Sequence, residues 1–155
     1  MSRDADLRTA LRAMAERFAS AGAALEIPPR YAAALGMTVE DFGDDFLVAE
    51  FPVDPAFANP RGVYLGGMLC ALVDAVCGPL SYIACGRPAV TTDFSMTFLR
   101  PLTARDAKVS VRAEVVARSR TIVVMEASAR SARGKLVARA RATGFVLDRR
   151  APAET

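Results

Sequence analysis

One apolar segment constrains the fold of this chain more than any other feature of its sequence. From Gly62 to Gly86 the residues read GVYLGGMLCALVDAVCGPLSYIACG, and Asp74 is the only charged side chain among them. The segment is long enough to span a membrane, which takes about 20 apolar residues. A central aspartate opposes insertion by about 2.5–3.5 kcal/mol, however, and Gly78-Pro79 interrupts the apolar run. We therefore predict a helix from about Gly66 to Cys85 that is buried in a soluble protein with no membrane partner.

Histidine is absent from the whole sequence, and its absence excludes several kinds of active site. Ser-His-Asp and Cys-His nucleophile arrangements are impossible, and so are the histidine-based zinc motifs of metalloproteases. The cysteines show no CxxC spacing, and their odd number argues against a disulfide framework. We interpret Cys70, Cys77 and Cys85 as small core residues and predict no metal site.

The net charge of +3 is spread over scattered arginines rather than gathered in one basic block. Nucleic acid is therefore an unfavoured partner, and an anionic small molecule fits the charge equally well. The N-terminal residues are charged and lack the apolar stretch of a signal peptide, so we predict a cytoplasmic protein. The length predicts one domain.

The rest of the chain predicts a second helix and six strands. Apolar residues recur at helical spacing over residues 4–20, and Pro28-Pro29 ends this region. Residues 31–53 predict two strands around a turn at Gly43-Asp44, and four alternating segments follow Gly86. The first of these segments is predicted to place on one face Val90, Thr92, Phe94, Met96 and Phe98.

Consecutive strands with short turns pair antiparallel, which indicates an α+β fold. We predict one antiparallel sheet of about six strands that wraps around the apolar helix. Small residues at 138, 140, 142 and 144 of the last strand are predicted to contact that helix, and Pro79 to bend the helix or end its regular part. The predicted divisions are an N-terminal helix and connector over residues 1–27, this domain over residues 31–148, and a tail over residues 149–155.

The residues that lead into the apolar helix resemble a family motif. Residues 59–74 read NPRGVYLGGMLCALVD, in which Asn59 precedes Gly62 by three residues and Asp74 follows the second glycine of Gly66-Gly67 by seven. This spacing resembles that of hotdog-fold thioesterases of the phenylacetate-pathway (PaaI-like) type. The strand after the helix is also similar to theirs, since Thr91 stands two residues before an aspartate.

The resemblance implies an acyl-CoA thioesterase that produces coenzyme A and a carboxylic acid, with no separate cofactor. Gly66 would polarise the thioester carbonyl through its N–H at the positive end of the helix dipole. Asp74 would act as the general base or the nucleophile. Asn59 would orient the substrate or the attacking water, and Thr91 would hold that water or Asp74.

The substrate-binding residues predicted beside these are Tyr64, Leu65 and Gly67. The acyl group that fits depends on pocket depth, to which we expect Tyr64, Leu69, Tyr82 and Phe98 to contribute.

The resemblance also implies that the site is shared between two subunits. In the family, Asn59 and Gly66 would face Asp74 and Thr91 of a neighbouring subunit. Helix geometry agrees, because eight residues at 1.5 Å each place Gly66 and Asp74 about 12 Å apart. We therefore expect a homodimer, with which a homotetramer is compatible.

One position departs from the family motif, because Leu65 stands where the family has a histidine before the two glycines. This departure leaves open a non-catalytic hotdog module that binds acyl-CoA or a fatty ligand, and also a dimeric scaffold without a small ligand. It also leaves structural interpretations of two features: Asp74 as a helix cap or the partner of a buried hydroxyl, and Gly66-Gly67 as a site of close packing.

Overall fold

Two strands, the long helix and four further strands follow one another in the predicted order, and a short helix that the sequence did not predict precedes them. The computed structural model describes Glu16 and residues 30–147. Helix α1 spans Arg30–Ala34 and helix α2 spans Gly66–Cys85. The strands are β1 (Thr38–Phe42), β2 (Phe46–Pro52), β3 (Ala89–Phe98), β4 (Lys108–Arg118), β5 (Ile122–Ser131) and β6 (Leu136–Val146). The helix predicted over residues 4–20 and the tail over residues 149–155 lie outside the described residues, apart from Glu16, which is helical.

The six strands form one antiparallel sheet in the order β1-β2-β4-β5-β6-β3, which confirms the predicted fold. Helix α2 packs against strands β2 to β6. Apolar and polar residues alternate along the strands with a period of two, and the apolar face that results packs against one face of the helix. The fully buried side chains at this interface include Leu47, Phe51, Leu72, Val73, Val76, Leu80, Val109, Val111 and Val123. The small residues of β6 are buried as predicted.

The start of the first predicted strand is wrong. Residues 31–35 were expected to be extended, but Arg30–Ala34 form helix α1 and β1 begins at Thr38. Three consecutive alanines favour a helical turn, and Leu35 N–H donates to the carbonyl of Tyr31 at 2.9 Å. Gly36 then adopts a φ of +67°, which turns the chain into the sheet.

Helix α2 continues through Pro79, so the proline does not end it. The helix closes only at Gly86, whose φ of 62° allows its N–H to donate to the carbonyl of Tyr82 at 2.8 Å. Among the described residues, α2 is one helix that is long and apolar enough to cross a membrane, but half of that stretch is buried inside the fold.

A bulge in β3 changes which of its side chains face the helix. Thr91 pairs with Gly144 and Asp93 pairs with Thr143, so Thr92 is an extra residue between two regular pairs. Alternation therefore shifts by one residue at this point. Thr91 therefore lies on the same face as Phe94 and Met96, where the sequence predicted Thr92. Val90, which was predicted on the same face as Phe94 and Met96, is exposed, whereas those two side chains pack against the core.

Candidate active site

The loop before α2 is a tight hairpin that carries Asn59 close to the start of the helix. Ala58 pairs with Tyr64 in an isolated bridge, and Leu65 N–H donates to the carbonyl of Phe57 at 2.9 Å. At the tip, Gly62 has a φ of +73°, and its N–H donates to the carbonyl of Asn59 at 2.8 Å. The positive φ explains the glycine, because other L-residues are strained there.

Asn59 organises this loop through its side chain. Its Oδ1 accepts hydrogen bonds from the N–H groups of Arg61 at 2.9 Å and Val63 at 3.1 Å. The amide oxygen is therefore committed to the loop, which is the geometry of an Asx turn. The amide nitrogen meets no acceptor among residues 30–147, so its two N–H donors remain for a ligand or water.

The first turn of α2 leaves backbone donors open. Leu65 is the residue before the helix and provides no side-chain cap, while its carbonyl accepts from the N–H groups of Met68 and Leu69, both at 3.1 Å. Within the described part of the chain, the N–H groups of Gly66 and Gly67 have no acceptor. Unbonded N–H groups at a helix N-terminus stabilise negative charge on an approaching oxygen.

Apolar side chains lie near these donors. A Cβ atom added at Gly66 would stand 2.9 Å from Cζ of Phe98, whereas one added at Gly67 would meet nothing within 4 Å. The side chains of Leu65 and Phe98 are about half exposed, at 47% and 52%. The Gly66 donor thus lies beside an apolar ring, whereas the Gly67 donor is open to solvent.

Asp74 lies on the exposed face of α2, so the helix that was predicted to be buried is exposed on this side in the single chain. Its Oδ1 accepts a hydrogen bond of 2.9 Å from the hydroxyl of Thr91. The bulge at Thr92 makes this contact possible, because it turns Thr91 toward the helix. Of the predicted catalytic residues, the structure therefore pairs Asp74 with Thr91 directly.

The nearby cysteines are poor nucleophiles. Burial, with a smaller effect of the Asp74 carboxylate, raises the pKa of Cys77 from 9.0 to about 12. Burial also raises the pKa of Cys70, against a smaller opposing effect of a backbone hydrogen bond. A thiol must be ionised to attack, so neither residue supplies a nucleophile at neutral pH. The described residues contain no group of three His, Cys, Asp or Glu side chains that could hold a metal ion.

The predicted site residues form two separate groups within one chain. Asn59 joins Gly66 and Gly67 through the hairpin, while Asp74 joins Thr91 across the helix–sheet interface. Gly66 and Asp74 are separated by eight residues of continuous helix, or about 12 Å along its axis.

Other predicted pocket residues lie in different surroundings. Tyr64 is 6% exposed and packs edge-on against Phe57, with ring centroids 6.3 Å apart. Burial, followed by the charge of Asp54, raises the pKa of its phenol. Leu69 and Tyr82 are also buried. Substrate contact by Tyr64 stays a prediction, whereas Leu65 and Gly67 are on the surface.

Sequence reasoning missed one residue beside Asp74. Tyr31 of α1 lies over α2, where its Oη is 3.6 Å from the position of a Cβ atom added at Gly78. Burial raises the pKa of the Tyr31 phenol, and the Asp74 carboxylate raises it further. No sequence pattern indicated this proximity, because it depends on how α1 docks on α2.

Comparison with known proteins agrees with this geometry. Residues 61–138 match the family model of the thioesterase superfamily. A Haemophilus influenzae protein to which esterase activity is attributed is 33% identical over 117 residues, covering 74% of this chain and 83% of that protein. The structure of the thioesterase HI1161 from Haemophilus influenzae is 28% identical, with a TM-score of 0.72 over 80% of this chain and 87% of that one.

A phenylacetic acid degradation-related protein from Ralstonia eutropha JMP134 is also similar. Its structure is 32% identical, with a TM-score of 0.70 over 76% of this chain and 90% of that one. The predicted resemblance to phenylacetate-pathway hotdog proteins is thereby confirmed. This chain belongs to the thioesterase superfamily, has the hotdog fold and is a thioester hydrolase.

Proposed function

We propose that this protein hydrolyses an acyl-CoA thioester at a site shared by two subunits of a homodimer. The observation that carries the proposal is the hydrogen bond of 2.9 Å between Thr91 and an otherwise exposed Asp74. A carboxylate held in one orientation on an open helix face is suited to act on a ligand from outside its own chain. The open N–H groups of Gly66 and Gly67 supply the complementary electrophilic site.

The exposed edge of the sheet supports the dimer. Strand β3 is at one end of the strand order, so one side of its backbone has no neighbouring strand among residues 30–147. Val90, Phe98 and Leu99 in and after this strand are between 46% and 52% exposed. An apolar unpaired edge favours association with another strand. A twofold axis at this edge would bring each subunit's helix start toward the partner's acid.

The chemistry follows from these positions. The thioester carbonyl oxygen accepts from the N–H of Gly66 in one subunit, which stabilises the negative charge that develops as the carbonyl carbon is attacked. Asp74 of the other subunit removes a proton from the attacking water, and Thr91 fixes its orientation. The carbon–sulfur bond then breaks, and the coenzyme A thiolate leaves and takes up a proton. The free N–H donors of Asn59 orient the water or the substrate.

Thiol release from a panel of acyl-CoA esters tests this activity. We expect turnover by the wild-type protein and a loss of about 10²–10⁴-fold in kcat for Asp74→Asn, because the general base is removed. Asp45→Asn is the matched control, since Asp45 is exposed in the turn before β2, at the opposite edge of the sheet. If no acyl-CoA of any chain length is cleaved, the proposed activity is wrong.

Leu65 favours a second candidate function. This residue leaves the first turn of α2 uncapped and apolar where the family has a histidine. A non-catalytic module that binds an acyl-CoA would need only the open donors and the apolar surface. Calorimetric binding of acyl-CoA without thiol release would support this function and contradict the proposed hydrolysis of acyl-CoA.

Mixed dimers test whether the site is shared. Asp74→Asn subunits, which lack the base, and Gly66→Pro subunits, which lack the N–H donor at the first helical position, are unfolded together and refolded. Random association makes half of the dimers mixed, and each mixed dimer has one intact site of two, so about a quarter of wild-type activity should return. A site built within one chain would give no recovery. The mass in solution, measured by light scattering, provides the independent check on the dimer.

A further inference from the structure

Tyr31 is a large side chain whose position against α2 is fixed by its neighbours. Helix α1 is anchored at Ala32, which is fully buried, and by the hydrogen bond from Leu35 N–H to the Tyr31 carbonyl. Gly36 then returns the chain to β1. The Tyr31 side chain itself is not absorbed into the core, because the residue remains 47% exposed.

The ring stands at one end of the exposed face of α2. Gly78 follows Asp74 by four residues, so the two lie on the same helix face one turn apart. The Oη of Tyr31 is 3.6 Å from the place of a Cβ atom on Gly78. Toward the other end of this face, Ala71 and Gly67 are exposed and small. Among residues 30–147, the helix face from Gly67 to Asp74 is therefore lined by small, exposed residues, and the phenol ring stands at its far end.

The phenol of Tyr31 is also close enough to Asp74 for the charge of the carboxylate to affect its pKa. The Asp74 carboxylate adds to burial in raising the pKa of Tyr31, so the hydroxyl is neutral at neutral pH. A group that reacts beside Asp74 and extends toward Gly78 therefore meets a neutral aromatic ring, because Gly78 adds no side chain between them.

We propose that the ring of Tyr31 forms the end wall of the acyl-binding pocket and sets the largest acyl group that fits beside Asp74. This inference rests on the proposed acyl-CoA hydrolysis. The carrier arm of coenzyme A is polar and must reach solvent, whereas the acyl group gains from apolar contact. Because Gly78 has no side chain to shorten the path along α2, the Tyr31 ring is what limits the length of the acyl group.

The acyl-length profile of kcat/KM tests the wall. For Tyr31→Ala we expect at least about a tenfold gain on acyl-CoA esters just beyond the wild-type limit and little change on acetyl-CoA, because steric discrimination acts only on groups that reach the wall. Tyr31→Phe keeps the ring and should keep the wild-type profile. Phe145→Ala is the matched control, since Phe145 is an exposed aromatic residue on β6.

A second variant approaches the same limit from the opposite side. Gly78→Ala adds a methyl group 3.6 Å from the Tyr31 hydroxyl and favours the helix, so the protein should fold and accept a shorter maximum acyl group. The proposal is overturned if Tyr31→Ala keeps the wild-type profile, or if it changes kcat/KM by one common factor for every ester, acetyl-CoA included.

Binding measurements separate the failure of this inference from the failure of the proposed activity. If no ester is hydrolysed, the activity is wrong, but the wall can still be tested with non-hydrolysable acyl-CoA thioethers. Their Kd values, measured by calorimetry, should show the same length limit in the wild type and its extension in Tyr31→Ala. A flat Kd profile in both proteins would overturn the wall.

Discussion

The hydroxyl of Thr91 is the contact whose removal tests the candidate site most directly. Thr91→Val keeps the β-branched shape, and therefore the strand preference, and removes only the hydrogen bond of 2.9 Å to Asp74. Hydrogen bonds to charged groups contribute about 1.5–3 kcal/mol. We expect the lower end of this range, because Asp74 is exposed and water replaces part of the lost contact. About 1.5 kcal/mol corresponds to roughly a tenfold loss in kcat.

The adjacent threonine provides a matched control. Thr92 is also exposed on β3, but its hydroxyl donates to the carbonyl of Thr143 at 3.1 Å and does not reach Asp74. Thiol release at saturating acyl-CoA should fall about tenfold for Thr91→Val and less than about twofold for Thr92→Val, with KM unchanged for both. Thermal unfolding checks that both variants are folded. Equal kcat values for the two folded variants would refute the role assigned to Thr91.

Four further perturbations test helix α2, three at its start and one at the buried Cys77. Gly66→Ala places a methyl group 2.9 Å from Cζ of Phe98, whose ring can swing aside, so the midpoint of thermal unfolding should change little. The value of kcat/KM should fall, because glycine permits the close approach to the backbone that the methyl group hinders. Full activity would contradict the role of Gly66. Gly67→Ala, which meets nothing within 4 Å, should raise the free energy of unfolding by about 0.5–1 kcal/mol in urea titrations. Leu65→Ser adds the missing side-chain cap and should raise the free energy of unfolding by about 1 kcal/mol. The same variant should lower kcat/KM, because the serine hydroxyl occupies the N–H donors of the first turn. An unchanged midpoint in urea titrations would argue against an uncapped helix start. The pKa of Cys77 is raised in the folded protein, so the contribution of this thiol to the free energy of unfolding is complete below about pH 9 and is lost toward pH 12. Urea titrations of the wild type should therefore show stability falling over this range, and Cys77→Ala should reduce that fall.

The order of elements was predictable because it follows from local patterns. Alternation of apolar and polar residues identified β4, with Val109, Val111 and Ala113 buried on one face. The apolar run and the glycine at its end bounded α2 at Gly66 and Cys85, as the structure has it. Each of these signals is carried by side chains within a few residues of one another, so it requires no knowledge of the fold.

Two of the errors have a common cause, because the bulge in β3 and the exposure of Asp74 both depend on contacts between distant parts of the chain. The bulge at Thr92 arises where β3 pairs with β6, and periodicity within β3 gives no sign of the extra residue. Whether Asp74 is buried depends on which face of α2 meets the sheet. The helical turn at Tyr31 was missed for a different reason, because its short alanine run was interpreted as the start of a strand.

The sequence by itself therefore determined the hotdog arrangement and the residues from which a thioester site could be built. The spacing of Asn59, Gly66 and Asp74 was enough for this, because a motif records separations along the chain. Only the tertiary structure decided that the Thr91 hydroxyl donates to Asp74 and that Tyr31 lies beside Gly78, one helical turn from that acid. The first contact joins Thr91 to Asp74, which are 17 positions apart, and the second joins Tyr31 to Gly78, which are 47 positions apart. Only the packing of the helices and the sheet brings such distant residues together.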